Sequence, residues 1–579
     1  MSKTIKRRAV SDHAQAHLSH LPPVLQRVFA GRGVSDGTQL DYQLANMVKP
    51  ADLKGLPAAL DLLAAAVTQQ QRILIVGDFD ADGATSSALA VSALQAMGAV
   101  QVDYLVPNRF DYGYGLTPEI VDVAAESSPD VIVTVDNGIS SVDGVARANS
   151  LGIKVVVTDH HLPGQVLPQA AAMVNPNQPG CEFPTKNLAG VGVIFYVLAA
   201  LRSRLRSQGW FAEQGLPEPN MGEYLDLVAL GTVADLVPLD ANNRTLVYQG
   251  LNRIRAGRAR PGILALLETA GRNPSRVSAS DMGFIVGPRL NAAGRLDDMS
   301  IGIRCLLTDS IVEAREAAQA LNDLNQDRRA IEVGMQREAL ADLADVDFSS
   351  PEDTPWGLSL YKPQWHQGVV GIVASRIKER FHRPVIAFAD AEGGEQIKGS
   401  ARSIAGLHIR DTLDAVASQN PGLIIKFGGH AMAAGLSIRS ADFDRFSQAF
   451  DQAVRNKLTQ DELNEVIYSD GELATGDFNL PLAEAIRAAG PWGQAFPEPV
   501  FDGEFILVSQ RIVGGRHLKM VVAPVTDSQC TLDAIAFSVD VEQWPNSEAQ
   551  RVHLVYQLDV NEYRGQQSVQ LIVRHLWPL

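Results

Sequence analysis

The segment Asp78-Phe79-Asp80-Ala81-Asp82-Gly83 follows directly on the apolar run Arg72-Ile-Leu-Ile-Val76. Carboxylates at alternate positions of an extended segment point to one side. Charges that close repel unless cations lie among them. An EF-hand loop begins the same way, but it needs Glu at its twelfth position, where this chain has Leu89. A solvated acidic turn is the alternative for this motif alone. Later apolar runs end in the same kind of group: Asp136-Asn137-Gly138 after Val131–Val135, Asp159-His160-His161 after Lys154–Thr158, and Asp235 in Gly231-Thr-Val-Ala-Asp235. Carboxylates joined by one or two imidazoles suit Mn²⁺, all-oxygen sites suit Mg²⁺ or Ca²⁺, and thiolates suit zinc. Several carboxylates with one shared describe a two-ion centre for phosphoryl transfer.

The elements that must hold these groups can be read from the same stretches. Arg72–Val76, Val102–Val106, Val131–Val135 and Lys154–Thr158 read as buried strands, with Ala84–Met97 and Pro118–Ala125 as helices between them. Strand, helix, strand at this spacing predicts a parallel sheet, whose C-terminal edge is where ligands bind. Residues 187–270 read as mainly helical. Residues 309–345 read as one helix, capped by Ser310 and Glu313 and free of Pro until Pro351. At about 35 residues it would span roughly 50 Å and suit a spacer; two helices broken near Gly334 are the alternative. Residues 355–450 return to α/β character. Phe505–Val508, Leu518–Val522, Val552–Tyr556 and Ser568–Val573 predict a small barrel of the OB type. The division expected is an N-terminal segment 1–45, a catalytic domain 46–308, the connecting helix 309–345, a smaller α/β domain 346–455 and the barrel domain 456–579.

Composition narrows the partners. The 579 residues carry a net charge of -16, which excludes a uniformly basic nucleic-acid binder but not a local basic groove. Arg244, Arg253, Arg255, Arg258 and Arg260 fall in a stretch without acids, 241–267. They read either as a phosphate-tracking stripe or as an exposed helix face. Arg511, Arg516, His517 and Lys519 make a smaller patch in the barrel region, where Tyr556 and Tyr563 are candidates for base stacking. Cys181, Cys305 and Cys530 are too scattered for a disulfide framework or a zinc ribbon. No apolar run reaches the length of a membrane span, and the basic start Met1–Arg8 is followed by no apolar stretch. A cytoplasmic protein with those residues as an exposed tail is expected. His13, His17 and His20 sit at helical spacing without carboxylate partners and predict a surface helix.

Taken in order, Asp78-Phe-Asp-Ala-Asp-Gly, Asp136-Asn-Gly, Asp159-His-His and Gly231-Thr-Val-Ala-Asp235 resemble the motifs of the DHH phosphoesterase superfamily. Pro107-Asn-Arg-Phe-Asp-Tyr-Gly-Tyr-Gly-Leu116 and Gly287-Pro-Arg-Leu-Asn-Ala-Ala-Gly-Arg295 tighten the match, and Gly399-Ser-Ala-Arg-Ser403 with Gly428-Gly-His430 resembles a DHHA1 domain. From about residue 70 onward the chain resembles the bacterial single-strand-specific DNA exonucleases of that superfamily. Many DHH phosphatases carry a His four residues before the first metal Asp of motif one. Val76 stands there instead, as in the exonuclease branch.

The resemblance implies an α/β multidomain fold: a parallel-sheet DHH domain, a long connecting helix, a smaller α/β DHHA1 domain and a C-terminal OB-type β-barrel. It implies a Mn²⁺- or Mg²⁺-dependent, two-ion 5′→3′ exonuclease that releases 5′ mononucleotides in recombination and repair. By the same resemblance Asp82, Asp136, His160 and Asp235 hold the first ion, and Asp80 and Asp136 the second, with Asp136 bridging. Asp78 and His161 ligate, orient a water or touch phosphate, and Asp159 orients the ring of His160. Arg109, Arg289, Ser400, Arg402 and His430 would contact a 5′-phosphate or DNA. The carboxylates and these basic groups would form opposite walls of a cleft that admits one strand. Single-stranded DNA is the expected partner, with a single-strand-binding protein and a helicase as further ones, no membrane, and a monomer. The alternatives are a DHH phosphoesterase for short oligonucleotides or small phosphoesters, and a non-catalytic scaffold.

Overall fold

A parallel sheet covered on both faces needs strands that are apolar almost throughout. Ile73–Gly77 and Val131–Val135 are buried at every position, and Lys154–Thr158 at all but its first. The computed structural model describes residues 3–108, 114–344, 346, 354–391, 393–563 and 565–579. The chain divides into two units: Arg7–Asn322 with Ser469–Leu579, and Met1–Lys6 with Asp323–Tyr468.

In the first unit the sheet runs Val102–Leu105, Ile73–Gly77, Val131–Val135, Lys154–Thr158, Ala172–Val174, all parallel. Gly77 pairs with Val135 and Val135 with Thr158, so these strands end level. Whatever follows them leaves from one edge. The chain leaves Ile73–Gly77 for one side of the sheet and returns to the other side at Val131–Val135. That reversal opens the crevice where open α/β sheets bind ligands. Two helices beneath this edge, Ala81–Ala96 and Leu225–Ala234, are buried nearly all round. Small residues at Ala81, Gly83, Ala84, Ser86, Ser87 and Ala88 let the first approach its neighbours closely.

The helical reading of 187–270 is met by Gly190–Ser207, Trp210–Gln214, Leu225–Ala234, Ala241–Arg255 and Pro261–Thr269. The arginines there are not a phosphate stripe. Arg244 is buried, donates to the carbonyls of Leu239 and Gln39, and lies over the ring of Phe496. Arg255 donates to the Val277 carbonyl, and Arg260 pairs with buried Asp226. Only Arg258 of the five is exposed.

Ile311–Asp342 is one helix of 32 residues, about 48 Å at 1.5 Å per residue, and it runs through Gly334 without a break. The Glu313 amide donates to Ser310 Oγ, but the Glu313 carboxylate turns to the Thr308 hydroxyl, so the capping is one-sided. In the second unit, Lys426–Gly429, Ala433–Arg439, Gln396–Arg402, Val385–Asp390 and Leu358–Tyr361 form a mixed sheet in that order. Only the last pair is parallel. Helices Val370–Phe381, Ile409–Gln419 and Phe443–Arg455 pack on it around Phe388, Phe446 and Ile377.

The C-terminal strands Phe501–Val513, His517–Pro524, Leu532–Ala536, Arg551–Tyr563 and Gln566–Pro578 close into a barrel, which leaves no edge exposed. Tyr556 is not a surface platform for bases. It is 1% exposed, packed against Phe478, Phe501 and Phe505. The side chain of Tyr563 lies outside the described residues.

The basic N-terminus is not a loose tail. Lys3–Arg7 pairs as a strand with Glu465–Ser469. Arg7 bonds Asp502 and Glu472, and Arg27 donates to the Glu472 carbonyl. Arg32 meets Asp470 through two bonds of 2.7 and 2.9 Å, both side chains being 1% exposed. His13 and His17 lie on a short exposed helix, Asp12–His17, with His20 beyond its end. No helix among the described residues is long and apolar enough to cross a membrane.

Candidate metal centre

The acidic segments leave the level strand ends and turn inward for local reasons. Asp80 is the N-cap of Ala81–Ala96 and accepts the amides of Asp82 and Gly83 at 2.9 and 3.0 Å. The Ala81 amide is taken by Asn291 Oδ1. Asp82 therefore lies in the first turn of that helix. Both of its oxygens accept amides from the start of another helix, Gly190 at 2.6 Å and Val191 at 2.9 Å. Asp136 adopts a left-handed backbone, φ 63°, at the end of its strand. Asp tolerates that region, and strain of this kind collects at functional sites. Asn137 secures the turn by donating to the carbonyls of Val76 and Val135.

Asp159 organises the histidine turn. Its Oδ2 accepts the Ile139 amide, and its Oδ1 accepts the amides of His160 and His161. The ring that Oδ1 meets is that of His161, Nδ1 at 2.7 Å, and not that of His160. The expected partnership with His160 is thus corrected: the tight turn aims the carboxylate one residue further on. Asn175 donates to the His161 carbonyl and Asn177 to the His160 carbonyl, fixing the turn from outside. Tyr114 donates to the Asp136 carbonyl at 3.2 Å and lies 3.2 Å from His161 Nδ1.

These turns gather three overlapping donor groups: Asp82, His160 and Asp235; Asp78, Asp80 and Asp136; Asp136, His160 and His161. Within each group the donor atoms lie within 4.8 Å of one another. Asp136 and His160 each belong to two groups. His160 Nε2 lies 3.1 Å from Asp136 Oδ1 and 3.5 Å from Asp235 Oδ2. Burial, and then repulsion from Asp82 and Asp80, push Asp136 and Asp235 well above the usual carboxylate range. Burial and Asp80 raise Asp82 as well, in spite of its two amides. For His161 burial opposes protonation, but the bond and charge of Asp159 outweigh it and raise the ring to about 9. Asp136 Oδ1 is buried and receives no hydrogen bond. Clustered carboxylates that meet an imidazole, with a buried oxygen such as Asp136 Oδ1 left without a donor, are the chemistry of a divalent cation site.

The groups expected to contact phosphate are distributed as follows. Arg109 lies outside the described residues. Arg289 is buried in the helix Gly287–Leu296 and donates to the Ile285 carbonyl and to Asn322 Oδ1. Ser400 and Arg402 stand on Gln396–Arg402 in the second unit. Arg402 pairs across the ladder with Ala433, whose carbonyl takes the amide of exposed His430. Ser400 and Arg402 thus lie one strand, Ala433–Arg439, away from Lys426–Gly429, the strand that His430 follows.

Sequence reasoning passed over Asn175, Asn177, Asn291, Tyr114 and Gly190. The Asn175-Pro176-Asn177 turn after a short strand was the visible signal for the first two. Gly190 serves close approach: a Cβ there would lie 2.5 Å from Asp136 Cβ and 2.7 Å from its Oδ1. Gly190→Ala must displace either Asp136 or the helix start that holds Asp82. We expect it to fold and to bind Mn²⁺ about 10- to 100-fold more weakly, the usual scale for lost ligand support, by calorimetry. Unchanged affinity would show that the close contact is incidental.

Family models match in chain order: the DHH family, N-terminal domain, over residues 72–232, the DHHA1 domain over 357–456 and the RecJ OB domain over 469–575. The single-stranded-DNA-specific exonuclease RecJ of Dickeya dadantii (strain 3937) is 59% identical over 559 residues, 96% of each chain. The chain belongs to the RecJ family. The crystal structure of RecJ in complex with Mn²⁺ from Thermus thermophilus superposes with a TM-score of 0.82 at 30% identity, covering 100% of this chain and 80% of that one. The Mg²⁺ complex from the same organism gives 0.76 at 28% identity, covering 99% and 78%. RecJ-family members are exonucleases, and the carboxylate–imidazole set described above fits the ions those two crystal structures hold.

Proposed function

We propose that this chain hydrolyses single-stranded DNA from the 5′ end, releasing 5′ mononucleotides with two Mn²⁺ or Mg²⁺ ions. The observation that supports this best is the overlap of donor groups through Asp136 and His160 at the level ends of a parallel sheet. In this reading Asp82, Asp136, His160 and Asp235 hold one ion, and Asp80 and Asp136 the other, with Asp78 beside the second. Bound there, the ions would supply an acidified attacking water and charge neutralisation at the leaving oxygen. The chain's own groups do the rest. The amides of Gly190 and Val191 orient Asp82 and oppose its protonation, Asp159 fixes the histidine turn, and His161 and Tyr114, in contact with each other, would meet phosphate.

Polarity would come from a terminal phosphate, which carries more charge than an internal diester and suits a cluster of donors. Arg109, Arg289, Ser400, Arg402 and His430 are the residues we assign to it. The setting we infer is recombination and repair in the cytoplasm, by a monomer, behind a helicase and on strands coated by a single-strand-binding protein.

The test is a long single-stranded DNA labelled at one end or the other, incubated with the pure protein and Mn²⁺. Early release of a 5′-terminal mononucleotide, abolished by EDTA, is expected. Rapid cleavage of dinucleotides with no release from long strands would replace this reading with a phosphoesterase for short oligonucleotides.

A further inference from the structure

Next to the metal centre the first unit contains a second concave site that the hydrolytic chemistry does not use. It is a half-open cavity of about 380 Å³. One wall is Leu236, Val237 and Leu239, the residues that follow Asp235. Another is Gly283 and Phe284 from a π-helical turn, Met282–Val286. The far wall is Trp492 and Pro497 with Gln557 and Arg574 of the barrel. At this cavity Leu236 is 57% exposed and Phe284 66% exposed, although both are large and apolar. Exposed apolar side chains gathered at one cavity mark a binding surface, and π-helical turns recur at functional sites.

The polar lining side chains are Ser278, Ser280, Gln494, Glu498, Gln557 and Arg574, and the last three form a hydrogen-bonded chain. Arg574 directs Nε and Nη2 to Gln557 Oε1 at 3.0 and 2.5 Å, and Gln557 Nε2 donates to Glu498 Oε2 at 2.7 Å. Both arginine bonds use one edge of the guanidinium, and the side chain is exposed. An apolar slot with one aromatic ring projecting, an amide on the wall and a guanidinium at its end suits a nucleobase followed by a phosphate. It suits a peptide less well, because the barrel strands that contribute to it are already paired in a closed barrel and offer no edge.

Resting on the reading given above, we propose that this cavity is a base-binding subsite for the strand being degraded. A base a few nucleotides from the scissile bond stacks on Phe284 beside Leu236, and Arg574 meets the phosphate that follows it. The subsite carries the strand from the ligand Asp235 to the barrel. The site measures its substrate as unstacked bases, so a base held in a duplex could not enter without being unpaired.

The experiment uses the full-length protein in EDTA with oligonucleotides carrying 5-iodouracil at successive positions from the 5′ end, irradiated and mapped by mass spectrometry. Adducts at Phe284 or Trp492 from one or two adjacent positions are expected. Phe284→Ala should weaken binding of a long strand by about tenfold, the scale of one lost base stack, and Phe284→Trp should restore it. Hydrolysis of a dinucleotide, too short to reach the cavity, should keep its rate in Phe284→Ala. Tight binding with adducts only elsewhere, and unchanged affinity in Phe284→Ala, would overturn the subsite while leaving the nuclease reading intact. Failure of any strand to bind or be cleaved by the metal-loaded wild-type protein would sink both.

Discussion

Asp136→Ala is expected to lose both metal ions and to cut the rate on single-stranded DNA by on the order of 10³-fold or more, since a two-ion centre supplies several kcal/mol to the transition state. Asp136 is the carboxylate common to two donor groups, one with Asp78 and Asp80 and one with His160 and His161. Asp78 and Asp235 each belong to a single group, so Asp78→Ala and Asp235→Ala should each lower the stoichiometry by one ion at most. Calorimetric titration with Mn²⁺ separates these cases. Two ions bound by Asp136→Ala would refute its bridging position. A second readout guards against simple unfolding. In metal-free protein Asp136 is buried among Asp82, Asp80, Asp235 and Asp78, which disfavours its ionised form. Removing it relieves that repulsion, so the metal-free variant should melt at or above the temperature of the metal-free parent. A lower melting temperature would mean that the carboxylate holds the turn itself, through its left-handed backbone, and that lost activity is a folding effect.

How much of this was visible in the residues depends on how far apart the partners lie along the chain. The acidic strand ends were legible because a buried parallel strand is a continuous apolar run and its chemistry sits in the next residues. Asp78, Asp136 and Asp159 follow such runs at once, and the ladder pairs Gly77 with Val135 and Val135 with Thr158. Contacts made across long separations left no such mark. Gly190 lies far from Asp136 in sequence yet must lack a Cβ because the two touch. Asn175 and Asn177 hold the histidine turn from a different strand end. The direction of the Asp159 carboxylate was misread because a turn, unlike a strand, does not alternate its side chains. Tyr556 was misread because the rings that bury it, Phe478, Phe501 and Phe505, lie some fifty or more residues away in sequence. The arginines of 241–267 show the limit of counting charges. Sequence records five cations in an acid-poor stretch, but not that Asp226 and the carbonyls of Leu239, Gln39 and Val277 already accept from three of them.

The N-terminal segment carries no motif, and among its contacts is one buried ion pair, Arg32 with Asp470. Arg32→Ala is expected to destabilise the protein by about 3 kcal/mol, the lower end of the cost of breaking a buried ion pair, because Arg8 Nε, 3.7 Å from Asp470, still compensates it in part. Arg32 uses four of its five N–H donors: Nη1 and Nη2 on Asp470, Nη1 also on the Val28 carbonyl, and Nε on the Pro497 carbonyl. Asp470 in turn accepts the Val500 amide, just before the barrel strand that begins at Phe501. Above this pair Phe29, Trp492 and Phe496 stack, with the Arg32 guanidinium 5.4 Å from the Trp492 ring. The first helix of the segment to pack here, the turn before the barrel and the barrel's first strand therefore meet at one charge pair. Thermal melting of Arg32→Ala, monitored with limited proteolysis, should show the barrel strands cleaved before the parallel-sheet domain. Replacing both partners, as in Arg32→Met with Asp470→Leu, should cost less than Arg32→Ala alone, because no charge is then left buried. If the double variant is the less stable of the two, the pair stabilises by more than mutual neutralisation. If Arg32→Ala melts like the parent, the segment is packed on the barrel without holding it.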